Sequence, residues 1–514
     1  MRKALCDFAS RPFHHREEEN LIGSRMRNRK EKQMKREFSC SLAFVVLVAA
    51  CGAVAFCQSV SAASAATHIR SVTAITEVFG DGQRVTAAAV EYDQSIANAK
   101  LSASNFSVEG RTITKIYANS SAVKASEGVN GRFVIIEISP SDKDAPTFTR
   151  YEPAGGPPSG AGGPGGPGGP GGPGASSGGQ SDPGGPGGQG GQGQPGGMVD
   201  SKNRPMGRQL MRKKVEIAVK QAGEIETVGG KKYAARADAV KSSKIVNLVV
   251  DDFQKLEFKD PENGNTLKYN LFVPKNYDKA KSYPLVLFMH DASVLSDDWE
   301  ETLMQGNGAT IWATPSEQAK HPSFVVAPQF EAVASGEAQG ESSMMSTVAH
   351  LIYAIEKQYS INKNQIYTMG QSMGCTLSIA MNAKYPDLFA ASLFVAGQWQ
   401  PDQMGALAHK NFWIIVAEGD RQAYPTVNAS MPYLEKSGAK ICKAEWNARA
   451  GAVEQAANVK AMADQDCNIK YAYFLLGTTL PVGKEKSGEN EHMETWDVAY
   501  SIEGVRDWLF TQKK

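Results

Sequence analysis

Apolar and polar residues alternate along residues 68–140. The runs HIRSVTAITEVFG, RVTAAAVEYD, NFSVEG, RTITKIYAN and GRFVIIEISP carry the period of two expected of half-buried strands. Gly, Asn and Asp break them at turn spacing. The pattern resumes in KKVEIAVKQAGEI, KKYAARADAV and SKIVNLVVDDF, residues 213–253. Short strands at this spacing predict an all-β sandwich over residues 66–250. A Gly/Pro tract, about 155–197, separates the two sets and has no large apolar residue from which to build a core. Its Gly-Gly-Pro triplets place glycine at every third position, as collagen does, but the run is short and broken. The tract reads as a disordered insertion, bounded at about 152–208, within one β domain. Closing a loop of this length costs little, because the entropy grows with the logarithm of length.

From residue 251 the period changes. KYNLFVP, QIYTMG, LFAASLFVAG, NFWIIVAEGD and IKYAYFLLG are strand-sized, and YPLVLFMH is a continuous apolar run of the kind buried on both faces. STVAHLIYAIEKQYS and CTLSIAMNAKYP have helical spacing, and WDVAYSIEGVRDWLF reads as one closing helix. Strands alternating with helices predict a parallel sheet covered by helices over residues 251–514.

Residues 1–65 read differently again. A basic stretch ending in Lys35-Arg36 precedes an apolar core from Leu42 to Phe56, and Ala63-Ser64-Ala65 has the form of an export cleavage site. The long basic leader makes Met26 and Met34 alternative starts. A competing reading takes Cys51 as a lipidated residue, a lipid anchor; the apolar GAVAF after it argues against this. Both readings export the chain to the periplasm, cell surface or medium. Four of the seven cysteines lie in this leader, leaving Cys375, Cys442 and Cys467. Three are too few for a disulfide scaffold, and no spacing resembles a zinc site. A Cys442–Cys467 bridge and free thiols both remain open readings. Charge is balanced, 55 Lys and Arg against 54 Asp and Glu, so nothing points to nucleic acid.

The chemistry gathers at YTMGQSMGC. Gly370, Ser372 and Gly374 form a G-x-S-x-G between a predicted strand and a predicted helix. A serine at such a sharp turn is lifted above the sheet edge, and side chains two residues to either side would clash. That makes Gly370 and Gly374 the elbow glycines, with the backbone N–H of Met373 free to donate to an oxyanion. The hydroxyl needs a base. His492 lies in a polar loop after the last apolar strand, where α/β-hydrolases carry theirs. His290 ends a buried strand, and His68, His321, His350 and His409 show no carboxylate pairing in the sequence. The acid should follow a strand between the two: Asp420 ends NFWIIVAEGD, with Glu418 as competitor. The second oxyanion donor is expected in the loop after YPLVLFMH, at Asp291 or Ala292. Hydrolases commonly have His-Gly where this chain has His290-Asp291. Trp299, Trp312, Gln329, Trp399 and Trp496 are candidates for the pocket, or for packing alone.

Residues 265–514 resemble the α/β-hydrolase esterases grouped with polyhydroxybutyrate-depolymerase-like and feruloyl-esterase-like enzymes. The resemblance rests on YPLVLFMHDA, QGNGATIWA, FVVAPQF, NQIYTMGQSMGC, YPDLFAASLFVAG, IIVAEGDRQAYP and HMETWDVAYSIEGVRDWLF. DGQRVTAAAVEYDQSI, NFSVEG and RTITKIYAN are similar to the immunoglobulin-like N-terminal domain of exported esterases in this group. The resemblance implies Ser372 as nucleophile, Asp420 as acid and His492 as base. It also implies Met373 and the His290–Asp291 region as oxyanion elements. Cys375 departs from the small residue usual after the motif, and residues 444–468 exceed the minimal pattern, as a partial lid or a surface helix.

The leading expectation is an exported serine esterase, needing neither metal nor organic cofactor. It would act on short-acyl or aryl esters, including ester decorations of polysaccharide. Two alternatives stand beside it. A prolyl-oligopeptidase-type peptidase would share fold and triad but needs a propeller for which the front domain is too short. A non-catalytic binding protein would use the β domain to grip a surface, with Tyr92, Phe106, Tyr117 and Phe133 as its platform instead of its core.

Overall fold

In the computed structural model, residues 68–150, 210–334 and 342–514 are described. The leader with Cys51 and the Gly/Pro insertion lie outside them. Among the described residues the front half contains twelve strands. They are β1 (Ile69–Phe79), β2 (Gly82–Ile96), β3 (Phe106–Val108), β4 (Ile113–Asn119), β5 (Gly131–Ile138) and β6 (Phe148–Arg150). After residue 209 come β7 (Leu210–Arg212), β8 (Ala218–Gln221), β9 (Ile225–Glu226), β10 (Lys232–Tyr233), β11 (Val240–Lys241) and β12 (Lys244–Asn247). One sheet has the order β12-β1-β2-β5-β4 and a second has β11-β8-β3. Val72, Val90, Val134 and Ile136 of the first sheet meet Phe106, Val108 and Val219 of the second, so period-two residues form an immunoglobulin-like sandwich core. Tyr92, Phe106 and Tyr117 are buried packing residues. β6 pairs antiparallel with β7, which sets residues 150 and 210 side by side.

The second half is built, among the described residues, on a nine-stranded sheet. Its strands are β13 (Gln254–Lys259), β14 (Thr266–Phe272), β15 (Tyr283–Met289), β16 (Phe324–Gln329), β17 (Ile361–Gln371), β18 (Ala391–Val395), β19 (Phe412–Ala417), β20 (Ile441–Trp446) and β21 (Ile469–Phe474). Their order is β13-β14-β16-β15-β17-β18-β19-β21-β20. β14 runs antiparallel to both its neighbours and the other pairs are parallel. The sheet is therefore mixed. β13, β16 and β20 add to the strands expected from periodicity. Helices α1 (Glu301–Met304), α2 (Pro315–Lys320), α3 (Ser343–Gln358), α4 (Met373–Lys384), α5 (Ala423–Lys436), α6 (Ala452–Ala463), α7 (Glu494–Ala499) and α8 (Glu503–Thr511) surround it.

Alternate residues of one strand serve opposite faces. Val286 and Phe288 of β15 join one core, with Trp413, Ile415 and residues of α6 and α8. Leu285, Leu287 and Met289 join the other, with α3 and α4. Continuous apolarity in β15 thus follows from helices on both sides.

One expectation is corrected and one open reading is decided. Of the two readings of residues 444–468, the surface helix holds. The segment contains the end of β20 and the crossover α6, whose Val459 and Met462 are buried against Trp446 and Trp508. The closing helix is two helices: it breaks between α7 and α8, and the Tyr500 carbonyl freed there accepts from Arg506 Nη1 at 2.7 Å. Cys442 and Cys467 are joined in a disulfide that ties β20 to the segment leading into β21.

Candidate active site

The turn between β17 and α4 is one residue, Ser372, with φ 48° and ψ −117°. A side-chain-bearing residue in such a conformation costs about 1–3 kcal/mol and survives only where its surroundings impose it. Here they do. A Cβ at Gly370 would lie 2.4 Å from the Gly374 carbonyl carbon, and one at Gly374 would lie 2.0 Å from the Met289 carbonyl oxygen. Both glycines are needed because strand, helix and the end of β15 touch backbone to backbone. Ser372 N–H donates to Val395 O at 3.1 Å, which locks the turn to β18. Met373 is the first residue of α4, so its N–H has no intrahelical acceptor and points from the positive end of the helix.

Asp420 follows β19 and is 1 % exposed. One carboxylate oxygen accepts from the N–H groups of Gln422 and Ala423, at 3.0 and 2.9 Å, where α5 begins. The other lies 2.5 Å from His492 Nδ1. An aspartate accepts only, so Nδ1 carries the hydrogen and Nε2 is left as the acceptor. Nε2 is 2.9 Å from Ser372 Oγ. The three residues come from three loops at one edge of the sheet and form a continuous hydrogen-bonded chain. Trp496 sets its ring edge-on to His492 at 5.2 Å. Glu418, the competitor for the acid, instead accepts from Leu476 N–H at 3.0 Å.

The other histidines are differently employed. His290 is buried, accepts from Phe330 N–H at Nε2 (2.9 Å) and donates from Nδ1 to the Asp291 carbonyl (2.6 Å). Burial lowers its pKa and keeps it neutral. The absence of carboxylate pairing expected for His68, His321 and His350 is corrected. They meet Asp93, Asp507 and Asp260 at 3.0, 2.8 and 2.8 Å, partners too distant in sequence to be seen. Glu317 lies beside His321 and Asp507, but Arg506 and Lys320 already supply counter-charge there.

The loop after β15 lies against the elbow through the Gly374 contact with Met289 and His290. Asp291 takes the place of the usual glycine. Its carboxylate accepts from Ser293 N–H (2.7 Å) and from Gln371 Nε2 (2.8 Å), the residue just before Ser372. That carboxylate is committed, so what the Asp291–Ala292 segment can offer an oxyanion is backbone N–H. The Cys375 thiol occupies space left by Gly397, where a Cβ would lie 2.1 Å from Sγ. Burial pushes its pKa far up. A small apolar slot beside α4 is lined by Cys375, Ile379, Phe394, Trp399, Met404 and Val427. Trp312 and Gln329 are packing residues, buried and bonded internally. Trp299 donates to Leu256 O on β13.

Sequence reasoning missed two residues that hold this site, Gln371 and Glu491. Glu491 precedes His492, is fully buried, and accepts from Gly477 N–H at 2.7 Å and the Thr479 hydroxyl at 2.5 Å. In the sequence it stands in a polar run with no periodicity to mark it as internal.

Residues 71–234 match the family of esterase Ig-like N-terminal domains, and residues 262–465 match that of putative esterases. No curated protein matches the chain. Among solved structures, a thermostable esterase is 25 % identical with a TM-score of 0.65, over 87 % of this chain and 100 % of that one. The feruloyl esterase module from Clostridium thermocellum complexed with sinapinate is 14 % identical, TM-score 0.33, over 50 % and 87 %. A ferulic acid esterase from Anaeromyces mucronatus is 14 % identical, TM-score 0.32, over 49 % and 91 %. The sandwich and the helix-covered sheet each coincide with one matched family. The front domain is thus of the esterase Ig-like N-terminal kind and the second half carries an esterase domain of α/β-hydrolase fold, which makes the chain a hydrolase acting on esters.

Proposed function

We propose that the protein is an exported serine esterase that cleaves short-acyl or aryl carboxylic esters through an acyl-enzyme on Ser372. His492 Nε2 takes the hydroxyl proton as Ser372 Oγ attacks the carbonyl, then returns it to the leaving alcohol. Water activated by the same nitrogen clears the acyl group. Asp420 holds the imidazole in the required tautomer and stabilises its charged form. The Met373 N–H and a backbone N–H of Asp291–Ala292 would receive the developing oxyanion. The observation that carries this reading is the continuous chain from Ser372 Oγ through His492 to Asp420, at 2.9 and 2.5 Å.

Export is supported by the basic-then-apolar leader and by the Cys442–Cys467 disulfide, a bond that persists in oxidising compartments. The test is hydrolysis of a short-chain p-nitrophenyl ester by the protein without its leader, beside Ser372→Ala. Turnover should fall by about 10⁴–10⁶-fold in the variant. A folded wild type with no turnover and no fluorophosphonate labelling would overturn the proposal.

A further inference from the structure

Resting on the triad reading above, we propose that Glu491 is a positioning residue that sets His492 against both Ser372 and Asp420. The carboxylate of Glu491 joins two loops that come from different strands. Its Oε1 and Oε2 accept from Gly477 N–H and the Thr479 hydroxyl, in the loop after β21. Oε1 also lies against the turn after β19, where a Cβ at Gly419 would sit 2.0 Å from it. Gly419 immediately precedes Asp420, and the Glu491 N–H donates to the Gly419 carbonyl at 3.2 Å. The Glu491 carbonyl in turn accepts from the buried Thr495 hydroxyl at 2.9 Å, on α7. Residue 491 is therefore tied through backbone and side chain to the acid's turn, to the start of its own loop and to the following helix. His492 is the next residue.

This arrangement explains a buried carboxylate that has no cation partner among the described residues. A carboxylate accepts at both oxygens, and the N–H of Gly477 is a fixed donor that a shorter or apolar side chain would leave unpaired. It also explains Gly419, since any side chain there would displace the carboxylate. A displacement of about 1 Å at a reacting group can cost about 10²-fold in rate, so a base carried on a loop needs such a clamp.

The role is separated from mere stability by comparing Glu491→Gln with Glu491→Ala in the leaderless protein. Glutamine keeps an acceptor for Gly477 N–H and offers its amide to the Thr479 oxygen; alanine removes both ties. The expected result is a kcat loss of about 10²-fold in Glu491→Ala, with KM within about twofold, and a loss of under tenfold in Glu491→Gln. Proton NMR supplies a readout independent of turnover. The far-downfield proton shared by His492 Nδ1 and Asp420 should persist in Glu491→Gln and broaden or vanish in Glu491→Ala. If Glu491→Ala does not fold, Thr479→Val removes one tie and should lower kcat about tenfold. Wild-type kcat in the folded alanine variant, or in Thr479→Val when that variant is the one assayed, would overturn the proposal. So would equal losses in the glutamine and alanine variants. Failure of the esterase reading would look different, because the wild type itself would then be inactive.

Discussion

Gly80, in the turn between β1 and β2 of the front domain, lies on the backbone of Asp497 in α7, the short helix that follows His492. A Cβ at Gly80 would sit 1.8 Å from the Asp497 carbonyl oxygen. Gly306 closes on the same spot from the other side, with its own Cβ position 2.7 Å from the Gly80 carbonyl. Val78 and Phe148 of the sandwich pack on the catalytic core, and Arg212 pairs with Asp298 at 2.8 Å. The two domains meet close to the helix that follows the base. Gly80→Ala should therefore destabilise the protein by about 1–3 kcal/mol through overpacking of backbone, which cannot swing aside. The check is thermal unfolding together with esterase kcat. A variant as stable and as active as wild type would mean the turn has room that the contact denies.

Asp420→Asn tests the tautomer argument. Asparagine preserves an oxygen for the N–H groups of Gln422 and Ala423, but its amide can donate to His492 Nδ1. The imidazole would then present a hydrogen to Ser372 where it now presents a lone pair. The expected loss in kcat is about 10⁴-fold with the fold intact. Steady-state kinetics and circular dichroism on the same preparation decide it.

The Cys442–Cys467 bridge closes a loop with a sequence separation of 25 around α6. Constraining a loop of that size is worth about 3 kcal/mol in the chain-entropy account. Reduction, or the Cys442→Ser/Cys467→Ser pair, should lower the denaturation midpoint while leaving kcat near wild type, because neither residue takes part in the triad's hydrogen bonds. Denaturant titration with and without reductant measures this.

Acid should weaken the front domain through Asp142. The backbone N–H of Thr112, at 2.8 Å, and the Arg111 guanidinium, at 3.1 Å, hold its carboxyl below the usual aspartate range. The folded state therefore favours the ionised form. The stability this adds is fully present above the unfolded-chain pKa of roughly 3.9 and is lost as pH falls through the lower folded value. Asp142→Asn should narrow the stability difference between pH 6 and pH 3, read from melts at both.

Local pattern carried much of the architecture. Strands β1, β2, β5 and β15 declare themselves by period or by continuous apolarity, and the Gly370-Ser372-Gly374 signature is contained in five residues. β13 was missed because an edge strand reading QKLEFK alternates charged with apolar residues and buries little. β20 was missed because half of it was read into the segment taken as a lid or surface helix. The break between α7 and α8 depends on Arg506 reaching the Tyr500 carbonyl, a tertiary bond within an otherwise helical pattern.

By itself the sequence determined the sandwich, the alternating α/β half and the strained serine turn. These follow from hydrophobic periodicity and from glycine's lack of a Cβ, both properties of neighbours along the chain. Only the tertiary structure decided which carboxylates meet His68, His321 and His350. It decided that Asp291 is fastened by Gln371, that Cys442 pairs with Cys467, and that Glu491 is internal. Each of these joins residues far apart in sequence, and a buried hydrogen bond leaves no period to read. The order of strands in the sheet brings three separate loops to one edge, and the contacts between those loops give the polar residues their partners.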